Sequence, residues 1–381
     1  WATMAPAPIP ARFGPASVWT GSELLVWGGY DESGAARTDG AMYDPATDSW
    51  RQIADFPFEH WRRTAPVGAS GFYSEAAVYG AWVGHEALFV VQDPVAEWAW
   101  DIVAYDPAAD SWRTAYRARF RHLPSDVLVR TEGDGPIDEV RSVAVHDGLL
   151  VLIGWRSDLA TFGITRFDPN AATWTPFEAI PDSGDQYIVP AQTQLVDDRY
   201  LVVMRTGSKW LGAWGWIVDL VAGGTVTIAE PPFPGPEESW GLEGVLGSDL
   251  RFVGNGNDGQ GGLQRVAYAL DVHTGLWTVA QAPPSGTVVD DDARAQLVAT
   301  PYGDLWLGGH DISGATFGGL HSSVAHLGSD AEMTRWATLP TAPIDLQRSD
   351  FVAVWTGAEV IVWGGALDTT AFADGARYTL P

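Results

Sequence analysis

The chain has no cysteine and one lysine, Lys209, in 381 residues. The first absence excludes disulfides, thiolate nucleophiles and cysteine-ligated metals. The second leaves 22 basic against 48 acidic residues and a net charge of −26. So acidic a surface repels the phosphates of nucleic acid and of anionic lipid, and neither is expected as a partner. No apolar run is long enough to cross a membrane as a helix. There is no phosphate-cradling loop, no nucleophile elbow and no histidine pair at helical spacing. The charge fits solubility in salt or outside a cell, so a secreted or periplasmic monomer is expected. The chain opens on a strand residue without a visible leader, as a processed or trimmed product would.

What the chain has in abundance is tryptophan, 20 residues of it, and a phrase that explains it. "YDPATDSW" ends at Trp50, "YDPAADSW" at Trp112 and "FDPNAATW" at Trp174. A second phrase is interleaved: "WTGSELLVWGG" from Trp19, "WTGAEVIVWGG" from Trp355 and a looser "WVGHEALFVVQ" from Trp82. Repetition at this period means one supersecondary unit copied and stacked. In the first copy, Ala16 to Trp19 reads as a strand, Thr20 to Glu23 as a turn and Leu24 to Trp27 as a second strand ended by Gly28-Gly29. Ala41 to Tyr43 is a third strand, Asp44 to Asp48 a turn, and Trp50 to Ile53 a fourth. A four-stranded sheet apolar on both faces needs a copy on each side, which radial stacking into a propeller supplies.

Unit starts fall near Ala16, Glu75, Glu139, Tyr187, Gly241, Ala293 and Asp350. Fourth-strand tryptophans fall at Trp50, Trp112, Trp174, Trp277 and Trp336, with Thr227 in that place in the fourth unit. The last unit lacks a fourth strand, and residues 1–4, "WATM", resemble one. The spacing therefore predicts an all-β, seven-bladed propeller of four-stranded antiparallel blades. It forms a single domain over residues 1–381, with residues 1–4 completing the last blade.

A glycine pair after strand two, an aromatic in strand three and a tryptophan in strand four resemble the Kelch-repeat propellers, over essentially the whole chain. The resemblance implies the fold, with function on the face of the long loops. Some bacterial Kelch-type proteins are sugar-acid mutarotases. The copper-radical oxidases of the superfamily need a cysteine cross-linked to tyrosine, which this chain cannot supply.

Strand alternation sorts the loops. The one–two and three–four turns are short, whereas Ala54 to Ser74, Tyr116 to Asp138, Pro231 to Ser239 and Gln281 to Asp292 lie on the other face. Rigid scaffolds carry function on long loops. His85, His146 and His273 fall in short turns and His326 in or beside a strand, where structural roles are expected; His60, His122, His310 and His321 fall on the long-loop face. Arg12, Arg141, Arg294 and Arg348 stand at or before first strands; Arg156 and Arg205 follow second strands. If they converge, they form a ring of bidentate donors for carboxylate, sulfate or phosphate. The alternative is pairing with Glu75, Glu139, Glu243 and Asp350. Trp155, Trp240 and the patch His60-Trp61-Arg62-Arg63 offer stacking surfaces for sugar rings.

The function expected is recognition of an acidic saccharide on this face. A lyase or mutarotase step would use arginine to neutralise the carboxylate and His310 or Tyr187 as base. The alternative is a module that binds a glycan or a partner protein without chemistry. No metal or cofactor is expected, though a structural calcium at Asp290-Asp291-Asp292 is compatible with the oxygen ligands there.

Overall fold

The computed structural model describes residues 1–55, 78–92, 100–117, 120–122, 128–130, 137–181, 189–206, 214–229, 231, 243–246, 250–257, 263–280, 296–307, 326–328, 336–346, 348, 351–367 and 370–380. Among them every regular element is a strand. The chain divides into two compact units, one of residues Ala7–Pro10 and Gly14–Tyr187, the other of Trp1–Pro6, Ala11–Phe13 and Ile188–Pro381.

The first unit holds three antiparallel sheets. Sheet A is Ala16–Trp19, Leu24–Trp27, Gly40–Asp44 and Ser49–Gln52. Sheet B is Val78–Val83, Glu86–Gln92, Trp100–Asp106 and Ser111–Arg117. Sheet C is Glu139–His146, Leu149–Arg156, Thr161–Asp168 and Thr173–Trp174, with Glu178–Ala179 as a fifth strand.

The second unit holds sheet D (Val189–Val196, Tyr200–Thr206, Gly215–Asp219, Thr225–Ile228) and sheet E (Glu243–Leu246, Arg251–Asn257, Leu263–Leu270, Trp277–Ala280). Sheet F is Gln296–Thr300, Gly303–Leu307, His326–Gly328 and Trp336–Thr338. In sheet G, Val352–Trp355, Glu359–Trp363 and Gly375–Thr379 are joined by Ala2–Thr3 from the other end of the chain. Within each unit the first strands of successive sheets lie side by side. Consecutive four-strand meanders with neighbouring first strands are the architecture of a β-propeller.

Two expectations are corrected. Five sheets, not seven, repeat the plain meander of four consecutive strands: A, B, D, E and F. Sheet C is five-stranded because Pro176, which has no N–H to give a ladder, splits its outer edge, and both pieces pair with Thr161–Asp168. Sheet G is assembled from both ends of the chain. Thr227 is also not the tryptophan equivalent in sheet D. It pairs with Trp216, whereas Thr225 pairs with Val218, directly before Asp219. In sheets A and B, Trp50 and Trp112 likewise pair with Tyr43 and Tyr105, directly before Asp44 and Asp106.

Period-two alternation builds the core. In strand Glu86–Gln92, Leu88 and Val90 join the cluster shared with sheet C, while Ala87, Phe89 and Val91 join the one shared with sheet A. Sheets D and E, and F and G, are cemented the same way. Trp27, Trp100, Trp216 and Trp363 are the largest fully buried side chains.

The repeated phrase is explained residue by residue. Tyr43 packs on Trp50 at 5.0 Å, and Tyr105 on Trp112 at 4.9 Å. The Tyr43 and Tyr105 hydroxyls donate to Asp48 and Asp110 at 2.6 and 2.5 Å. The Asp of Asp-Pro accepts turn N–H groups, Ala46 on Asp44 and Ala108 on Asp106. The position four after the turn aspartate takes positive φ in Asp48, Asp110 and Ala172, and also in Gly223 and Gly275, where no proline follows the aspartate. The tryptophan indole then ties one sheet to the previous one. Trp112 Nε1 donates to Ala54 O at 2.6 Å, Trp277 to Ala229 O at 2.8 Å and Trp1 to Pro340 O at 2.8 Å.

Candidate functional site

The site grows from a place where sheet C departs from the repeat. Trp27 and Trp363 end equivalent second strands, three residues after Leu24 and Val360, which face Tyr43 and Tyr378; in sheet C the residue facing Phe167 is Leu150, so Ile153 holds that place and the strand runs on to Arg156. In sheets A and G the next two residues are glycines with positive φ, Gly28-Gly29 and Gly364-Gly365. In sheet C the corresponding residues are Gly154 and Trp155, and both stay within the strand. Sheet C therefore carries Arg156 on an extension of its second strand, beyond the point where sheets A and G turn on their glycines.

Two neighbours hold that guanidinium, and a third fixes the residue after it. Arg156 Nε and Nη2 donate to the two oxygens of Asp158 at 2.7 and 2.9 Å. Its Cζ lies 5.3 Å from the ring centre of Phe177. Buried Asp138 accepts the N–H of the next residue, Ser157, at 2.6 Å. The hydrogen bonds to Asp158 hold the Arg156 pKa above its ordinary value against partial burial, with Asp138 adding to the field. The side chains of Arg156 and Asp158 are 24% and 51% exposed, so the pair faces solvent.

Phe177 occupies a position three after the strand-four tryptophan. Its counterparts Ile53, Ile228 and Met4 sit against the third-strand glycines Gly40, Gly215 and Gly375. Phe177 sits against Gly163 in the same way: a Cβ there would stand 2.3 Å from Phe177 Cζ and 2.5 Å from Glu178 O. The glycine makes room for the phenyl ring, and the ring carries the arginine.

The other candidate residues divide. Arg348 is 2% exposed and committed: Nε to Asp345 O at 2.6 Å, Nη1 to Gly364 O at 3.0 Å and to Asp374 Oδ1 at 2.7 Å, over the Phe372 ring at 4.1 Å. Arg12 is fully buried; its N–H donates to Phe372 O and its carbonyl accepts from Gly365 N–H. Both thus touch Phe372, Arg348 with its guanidinium and Arg12 with its backbone. Trp155 is 8% exposed and edge-on to Phe162, a wall rather than a sugar platform. Arg141 is half-buried at the bulge between Val140 and Ser142. Arg205 pairs through its backbone with Pro190.

His60, Trp61, Tyr187, Trp240, Arg294, His310 and Asp290-Asp291-Asp292 lie outside the described residues. Asp158, Asp138 and Phe177 were not singled out in the sequence. The signal available was the break in the glycine pair together with a phenylalanine at the third position after Trp174.

No protein-family model and no curated protein matches the chain. Among solved structures, one titled "Structure of YjhT" is similar at 13% identity and a TM-score of 0.48, over 99% of this chain and 97% of that one.

Proposed function

We propose that the protein is a Kelch-type propeller that recognises an anionic carbohydrate on the long-loop side of its sheets, with Arg156 as the donor to the ligand carboxylate. The observation that carries this reading is the partly exposed, aromatic-backed guanidinium at the end of a second strand, whose Nε/Nη2 edge grips a carboxylate, that of Asp158, as a bidentate fork. That edge matches the planar geometry of a sugar carboxylate. Phe177 and buried Asp138 preorganise it, so little side-chain entropy is lost on binding.

A glycan array of acidic and neutral oligosaccharides, followed by calorimetry on the hits, tests the reading. Binding confined to acidic glycans and weakened at least tenfold in Arg156→Ala is the expected result. Binding of a protein partner with no acidic glycan overturns it. The same hits, incubated at high protein concentration and followed for the absorbance of a new carbon–carbon double bond, show whether recognition leads to elimination.

A further inference from the structure

We infer that Arg37 is a second carboxylate contact, and that the ligand is therefore an oligomer of acidic sugars long enough to reach from sheet C to sheet A. The inference rests on the proposed role of Arg156 and names the class of glycan that the site takes.

Like Arg156, Arg37 lies against the end of a second strand, in the sheet on the other side of sheet B. Gly28 and Gly29 hold φ of +72° and +81° and turn the chain sharply out of that strand. The loop then folds back over them. Arg37 N–H donates to Gly29 O at 2.8 Å, and Gly28 N–H to Asp39 O at 3.2 Å. Sheet G repeats this fold-back with Phe372, whose N–H donates to Gly365 O at 2.9 Å. The same backbone position thus carries an apolar ring in sheet G and a guanidinium in sheet A.

One acid balances that guanidinium: Asp31 Oδ2 lies 3.1 Å from Arg37 Nη2. Asp31 is fixed by its own turn, its Oδ1 accepting from the Ser33 N–H at 2.9 Å, the Ser33 hydroxyl at 2.6 Å and the Ala35 N–H at 3.0 Å. Arg37 Nε is buried, and no acceptor among the described residues meets it. Buried donors are nearly always paired, so one left over marks a place for a water or an anion. The Arg37 side chain is 32% exposed, which keeps it open to solvent.

Spacing sets the length of the ligand. Sheet B shares one core cluster with sheet A and another with sheet C. Packed sheets stand about 10 Å apart, so two such steps separate the arginines by about 20 Å. A single sugar acid does not bridge that span, whereas a chain of uronates with a carboxylate on every unit does.

The experiment titrates wild type, Arg37→Gln and Arg156→Gln with hexagalacturonate and with galacturonic acid by calorimetry. In parallel, the side-chain Nε–H signal of Arg37 is followed by NMR in wild type, a readout that does not depend on how a variant folds. The bridging role predicts that Arg37→Gln binds hexagalacturonate about tenfold more weakly, and galacturonic acid within about twofold of wild type. It also predicts that the Arg37 signal shifts on saturation with the hexamer. Hexagalacturonate binding that Arg156→Gln abolishes and Arg37→Gln leaves unchanged, with a stationary Arg37 signal, overturns the bridge and leaves the proposed site intact. Absence of binding of either ligand to wild type overturns the site and the bridge together.

Discussion

Arg348 and Arg156 keep the same company. Each has an aspartate oxygen at 2.7 Å and a phenyl ring beside the guanidinium, 4.1 Å away for Arg348 and 5.3 Å for Arg156. Their side chains are 1% and 24% exposed. Arg348 also donates to two backbone carbonyls, from Asp345 and Gly364, and so stitches the approach to sheet G onto its second strand. Among the described residues the Arg156 side-chain bonds reach only Asp158, two residues on. An arginine alone in a motif therefore says little. Burial and backbone partners make one a structural clamp and leave the other facing solvent.

The largest expected effect is on the clamp. Arg348→Ala removes a buried guanidinium and leaves two carbonyls without their donors, which costs about 3 kcal/mol in denaturant unfolding. Arg156→Ala changes stability by less than about 1 kcal/mol and acts instead on acidic-glycan affinity. Equal stability losses would erase the distinction. Next comes Gly163→Ala, whose new methyl meets Phe177 and the Glu178 carbonyl. It costs about 2 kcal/mol by calorimetric melting and weakens acidic-glycan binding, because the ring under Arg156 is displaced.

Trp112→Phe sharpens the comparison from outside the site. It loses the indole bond to Ala54 O, about 1 kcal/mol, and leaves glycan affinity unchanged. Ala172→Gly works in the opposite sense. Ala172 holds φ of +52° in the turn before Trp174, and glycine relieves that strain at some entropic cost, for a net gain of about 0.5 kcal/mol.

The smallest effects per group are acid-dependent. Asp31, Asp44, Asp110, Asp219 and Asp271 all titrate below the usual carboxylate range. The main causes are hydrogen bonds from the Ser33 hydroxyl, the Thr47 hydroxyl, the Tyr105 hydroxyl, Arg199 and the His273 N–H respectively. Because the folded values lie below the unfolded ones, this stability is present above about pH 4 and is lost as pH falls through the folded values. Melting temperature should hold between about pH 7 and 5 and decline below about pH 4. A rise on acidification would contradict the assignment.

The repeat phrases made much of the scaffold legible. Asp-Pro turns, strand-four tryptophans and the pairing of residues 2 and 3 with the last strand all follow from spacing, because turn chemistry and period-two burial are local properties. Thr225 was misread as Thr227 because a threonine offers no aromatic signal, and only the register with Val218 identifies it. The split edge of sheet C needed the consequence of Pro176 to be followed across the ladder. For the site, Arg156 and Trp155 were legible as residues at a strand exit. Phe177 and Asp138 were not, since they reach Arg156 from other parts of the fold.

By itself the sequence determined the copying: where strands and turns fall, which residues face a neighbouring sheet, and that no thiol chemistry is open to the chain. The tertiary structure alone decided which guanidinium is sealed and which reaches solvent. Exposure depends on the residues that close over a side chain from distant strands, and no local spacing encodes them.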